Sequence, residues 1–213
     1  MIYESQSGDI TMALAGDALI TRRFAMHREE TFTRLADIFR SADVGFLNLE
    51  GTVRNWDEGT PNLTNGINMT IPPAALEDLK WFGVNLVSCS NNHAGEYGEG
   101  GIMATVKHVE ASGIVHAGIG ANLTRAVSPG YLETNHGRVG LVSATSSFYP
   151  WRPASDQGSE VHGRPGINPL GHKKTYTVDG QAFDELKRIG KALGFEKEAE
   201  QVKRHTTQQA HFD

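Results

Sequence analysis

Cysteine is almost missing from this chain of 213 residues: there is one, Cys89. No intrachain disulfide can therefore form, and a lone thiol inside an apolar run is compatible with a reducing compartment. Long hydrophobic runs are missing too. No window approaches the roughly 18 apolar residues that a membrane helix needs. The opening "MIYESQSGDITMALAG" has no basic segment followed by an unbroken apolar stretch, so no signal peptide is read and a cytoplasmic location is expected. Positive charge is not in excess, with 20 Lys and Arg against 25 Asp and Glu, a net charge of -5. That balance gives no electrostatic footprint for nucleic acid or an anionic membrane. What is present is ordinary for a globular chain, 38% hydrophobic and 21% charged, and the length suits one domain with a substantial core.

Along the first two-thirds, strand-like and helix-like segments alternate. "ITMALAG" (Ile10 to Gly16) reads as a buried strand stopped by Gly-Asp. "TFTRLADIFRSA" sets Phe32, Leu35, Ala36, Phe39 and Ala42 at helical spacing. "VGFLNLE" (Val44 to Glu50) is a second strand. "PPAALEDLKWFG" is a helix with prolines near its start and Gly83 as its C-cap. "VNLVSCS" is a third strand, and "GIMATVKHVEASG" a helix with Ile102, Val106 and Val109 on one face, stopped by Gly113. "GIVHAGIGAN" reads as a short strand and turn, and Arg138 to Ser146 as another strand. This rhythm predicts an α/β architecture around a largely parallel sheet. After Ser147 a Gly- and Pro-rich stretch, about residues 147–175, reads as a long ordered loop or lid. The division expected is a domain over 1–182 and a charged helical segment over 183–213, whose apolar stripe is Phe183, Leu186, Ile189 and Leu193.

Polar residues gather just past the carboxyl ends of the predicted strands, the edge where open α/β sheets bind ligands. "GD" (Gly16, Asp17), "NLE" (Asn48, Glu50) and "SNNH" (Asn91, Asn92, His93) arrive there together. Two acids, an amide and an imidazole can hold a divalent cation, or two bridged by one carboxylate. Such ions polarise a phosphoryl or acyl oxygen and lower the pKa of bound water. Each residue also has a plain alternative. Asp17 can serve a turn, Glu50 a cap or ion pair, and Asn91 to His93 a hydrogen-bonded turn. His116, after the fourth short strand, could line the same site.

"GDALITR", "FLNLEGTV", "SNNHAGEYGEGGIMATVKHVEASGI", "GIGANLTRAVSP" and "GRPGINPL" resemble, in order and spacing, successive motifs of the bacterial capsule-synthesis CapA family, linked to poly-γ-glutamate capsules. The resemblance runs from about Ile10 to Leu170. That family is similar in fold to calcineurin-like metallophosphoesterases. The resemblance implies a metallophosphoesterase-like β-sandwich flanked by helices, with divalent metal (Mn, Fe or Zn) at the strand ends. It implies Asp17, Glu50 and Asn92 as metal ligands, with Glu50 bridging, and His93 as the group that protonates the leaving oxygen. Arg22, closing "GDALITR", would bind an anionic phosphate or carboxylate through its paired donors, or else is an ordinary surface arginine. The acid in the turn after the histidine is Glu96, to which no metal role is assigned. The family's later histidine ligands find no matching motif before Asp213. The domain is therefore expected to be incomplete at its C-terminus, with a missing segment or a partner chain completing the site, or the site degenerate.

The leading expectation is a metal-dependent, phosphoesterase-type hydrolase acting on an anionic small molecule or on polyglutamate. The alternative is a non-catalytic capsule-biosynthesis module that binds polyanion beside a vestigial metal site. A third reading makes Asn91, Asn92 and His93 purely structural.

Overall fold

The computed structural model describes residues 8–63, 66–172, 175–195, 203–204 and 210–211. At the centre is a four-stranded sheet in the order β1-β2-β5-β6, built from Met12–Ala18, Val44–Leu49, Leu86–Ser88 and Val115–Ala117. All three pairings are parallel. Parallel strands need crossovers, and helices supply them. α1 (Glu30–Ser41) joins β1 to β2, α2 (Ala75–Phe82) precedes β5, and α3 (Gly98–Ser112) joins β5 to β6. The chain is thus α/β around a parallel sheet, as the alternation predicted.

The inner strands are apolar nearly throughout because both their faces are covered. Val44, Leu47 and Leu49 of β2 and Leu86 and Val87 of β5 are buried. Of these, Leu47, Leu49 and Val87 share a core with Leu76 and Leu79 of α2, and with Ile102 and Val109 of α3. On α1 the predicted stripe divides: Ala36 and Phe39 are buried, whereas Leu35 is half exposed. Gly83 and Gly113 end α2 and α3 in left-handed geometry, with φ of 105° and 79°. Those are the conformations a β-carbon disfavours, which is why glycine stands there.

β1 departs from expectation. It does not stop at the Gly-Asp pair but continues through Asp17 to Ala18, with a register shift between Leu14 and Asp17. It is also an edge strand, and only Ala13 of it is buried.

Four further short pieces decorate the sheet. β3 (Thr52–Val53) and β4 (Thr70–Ile71) pair in parallel. β7 (Ile119–Gly120) pairs antiparallel with β10 (Gly166–Ile167). α4 (Leu123–Val127) is capped by the Asn122 side chain, which accepts from the Arg125 N–H. β8 (Gly130–Thr134) and β9 (Gly137–Leu141) form a hairpin, so the strand read over Arg138 to Ser146 is shorter than expected and has an antiparallel partner. As far as Leu170 the Gly- and Pro-rich stretch is ordered: Thr145 and Pro153 bridge to Pro169 and Ile167, and Ser155 donates to the Arg164 carbonyl.

Two compact units divide between Leu170 and Gly171. The second carries α5 (Gly180–Ala192), started by Asp179, whose carboxylate accepts from the Ala182 N–H at 2.8 Å. Of its predicted stripe Phe183 is buried, while Leu186, Ile189 and Leu193 are exposed. The helical reading beyond Phe195 lies largely outside the described residues. The four described there, Lys203–Arg204 (β11) and Ala210–His211 (β12), pair as antiparallel strands rather than continuing a helix. Among the described residues no helix is long and apolar enough to cross a membrane.

Candidate functional site

The register aligns Asp17, Asn48, Ser88 and Ala117 across the sheet near its carboxyl edge. The bulge in β1 sets Asp17 directly opposite Asn48, and the Asn48 amide donates to Asp17 Oδ1 at 2.9 Å. Glu50, one residue past β2, is buried beside Asp17. Burial first, and the Asp17 carboxylate second, push the Glu50 carboxyl above its ordinary range. The Asn48 amide, followed by Glu50, holds Asp17 below its own. Glu50 Oε2 is buried with no hydrogen-bond partner.

The turn after β5 explains its own asparagines. Asn91 is buried, and its amide donates to Asn48 Oδ1 at 3.2 Å and to the Leu49 carbonyl at 3.0 Å. Its Oδ1 accepts from the His93 N–H at 3.0 Å. One side chain thus ties the end of β2 to the turn that presents His93. Each ring nitrogen of His93 faces a carboxylate: Nδ1 lies 2.8 Å from Glu96 Oε1 and Nε2 3.6 Å from Glu50 Oε1. Glu96 is itself buried, and its other oxygen accepts from the Met69 N–H. Asn92 is exposed. It lines, with His93, Glu96, Tyr149 and Arg152, a cavity of about 390 Å³.

The structure therefore brings Asp17, Glu50 and His93 within one network and places Asn92 on the wall of the adjoining cavity. Arg22 stands elsewhere. It lines a larger cavity, of about 520 Å³, whose other walls include Phe24, Phe32, Leu47, Leu79 and Phe82. His116 is mostly buried on β6, its Nε2 3.8 Å from Glu110. Cys89 is buried, which pushes its thiol up to about 12 and removes it as a nucleophile.

The sequence reading noticed Glu96 and gave it no metal role, but missed its pairing with His93, for which the spacing of three was the available signal. Arg152 escaped the reading altogether. It had no such signal, because it comes 60 residues after Asn92 in a stretch without periodicity.

Do these groups fit a divalent cation? In donor chemistry they do. A cation held by Asp17 and Glu50 would balance the two carboxylates and give Glu50 Oε2 a partner. Among the described residues no three His, Cys, Asp or Glu side chains form a ready ligand group, so amide oxygens would have to complete the set.

The family described as bacterial capsule synthesis protein PGA_cap matches residues 8–209. Two uncharacterized proteins of Sinorhizobium fredii, y4sH and y4uA, are each 34% identical to the chain over 188 residues, 86% of its length. The chain spans 40% of the length of these relatives.

Proposed function

This chain belongs to the PGA_cap family of bacterial capsule synthesis proteins, and from that membership we propose that it is a metal-dependent, phosphoesterase-type hydrolase acting on an anionic substrate. The observation that carries the reading is the Asp17–Glu50 carboxylate pair, with a buried unpartnered oxygen and His93 beside it, at the carboxyl edge of a parallel sheet. Asp17, Glu50 and Asn92 would hold the ion. When bound, it would supply charge to a phosphoryl oxygen and a more acidic water. A metallophosphoesterase-like β-sandwich flanked by helices is the fold this reading implies.

The chain's own residues do the rest. Glu96 accepts from the Nδ1–H and so orients the imidazole, which makes Nε2 the nitrogen that takes up and gives up a proton. That proton is available to a leaving oxygen in the cavity shared with Asn92. Asn91 sets the position of the turn and so of the ring.

Metal analysis after dialysis, together with melting curves in manganese and zinc, tests the proposal. We expect about one or more equivalents of ion to be retained and the melting temperature to rise with free ion. Asp17→Ala should abolish both effects, along with manganese-dependent turnover of p-nitrophenyl phosphate. No retained ion and an unshifted melting curve would sink it.

A second reading, a polyanion-binding accessory module of capsule assembly, has one observation in its favour. Both His93 nitrogens already face protein carboxylates, an arrangement that engages the ring within the protein rather than with a reacting group. Tight binding of polyglutamate without phosphoester turnover would select it.

A further inference from the structure

Arg152 is the most deeply buried cation near the site, only 5% exposed. A guanidinium that braces a loop normally places its N–H groups on acceptors, because a buried unpaired donor costs about 1–3 kcal/mol. Here Nη1 donates to the Asn92 carbonyl and the group lies 4.7 Å over the Tyr149 ring, yet Nε is buried with no hydrogen-bond partner. No carboxylate among the described residues is within ion-pair distance. Glu96 is near enough to act through space, but its oxygens already serve His93 and the Met69 N–H.

The setting of this side chain is shaped. Its aliphatic stem lies on Gly95, where an added β-carbon would come 2.9 Å from Cγ. Tyr149, beneath the guanidinium, stacks on Trp151 with ring centres 4.8 Å apart and planes within 10°. The cradle holds a charge beside the same cavity as His93 and Asn92.

From these observations we propose that Arg152 is the anion-binding residue of the cavity it lines, its guanidinium pairing with a phosphate or carboxylate oxyanion of the ligand. The proposal rests on the reading of that cavity as the ligand site, but it requires no metal. A planar fork suits either oxyanion, and the buried setting excludes competing water. The charge stays buried because a ligand supplies the missing counter-ion.

The test is the Arg152 Nε–H resonance in ¹⁵N-labelled full chain, in buffer with EDTA, titrated with inorganic phosphate and separately with glutarate. We expect the signal to move and saturate with at least one of them. Tighter saturation by phosphate identifies a phosphorylated ligand; tighter saturation by glutarate identifies a polyglutamate-type carboxylate. Arg152→Met keeps the stem and removes the fork. It should weaken anion binding about tenfold or more, with a melting temperature equal to or above wild type, because an unmatched buried charge is gone. The exposed Arg125→Ala should leave the titration unchanged. A signal unmoved by both anions overturns the proposal, as does undiminished anion binding by Arg152→Met. Because EDTA is present, failure of the metal reading leaves this result standing, and failure here leaves the metal reading to its own test.

Discussion

Asp78 illustrates how a single buried acid stabilises this fold. Its carboxylate accepts from Arg23 Nε at 2.7 Å and from the N–H groups of Phe24 and Ala25 at 2.6 and 3.1 Å. The Arg23 bond, with these backbone N–H groups, holds its pKa down to about 2. An acid so depressed contributes stability that is complete above its unfolded value of 3.8 and is lost as pH falls through about 2. The contribution is worth about 2 kcal/mol. Asp78→Asn should therefore melt well below wild type at pH 7, and the two should converge as pH falls from about 4 to 2; thermal unfolding across that range checks it. Glu96 is a second case. Glu96→Ala leaves the Met69 N–H and His93 Nδ1 without their acceptor, and should cost about 1–3 kcal/mol in urea unfolding. At this scale the sequence was legible only in part. Asp17, Glu50 and His93 met because they share strand ends, whereas Arg22 lines another cavity and Arg152 lines the one beside His93. The route of irregular chain decides such placements, and no periodicity encodes it.

The elements were more readable, since their signals are local. The two C-cap glycines were visible as stops in the sequence, but their neighbours were not. Gly83 sits at φ 105°, and a β-carbon there would lie 2.7 Å from the backbone of Phe39 and Arg40 at the end of α1. Gly113, at φ 79°, has nothing within 4 Å. Alanine at 113 should thus carry only the left-handed penalty of about 1 kcal/mol. Alanine at 83 adds a clash between α2 and α1 and should cost at least about twice as much. Equilibrium denaturation of the two variants separates local strain from packing; equal losses would show that the approach of the helices is not limiting. The misread elements share a cause as well. β1 ran past Gly16 because its partner β2 continues to pair, and the β8–β9 hairpin owes its second strand to pairing rather than to pattern.

At the scale of the whole molecule, the sheet is covered unevenly. β1 is an edge strand, with Met12 and Leu14 exposed by 46% and 65%. An exposed edge bearing apolar side chains favours pairing with another chain. Self-association that increases with concentration is therefore expected in light scattering, and Leu14→Lys should reduce it without lowering the melting temperature. A wild-type chain that stays monomeric at high concentration would refute this. By itself the sequence determined the α/β alternation, the helix stops and the convergence of acids and histidine on one sheet edge, together with the family. Each follows from short-range spacing or from motifs whose order survives in the chain. The tertiary structure alone decided that Glu50 is buried near Asp17 with one oxygen unpartnered, and that Asn91 braces while His93 presents. It also decided that the site's buried cation is Arg152. Those depend on burial and on contacts between residues tens of positions apart, where desolvation and unmet hydrogen bonds are set by the surroundings and not by the residue.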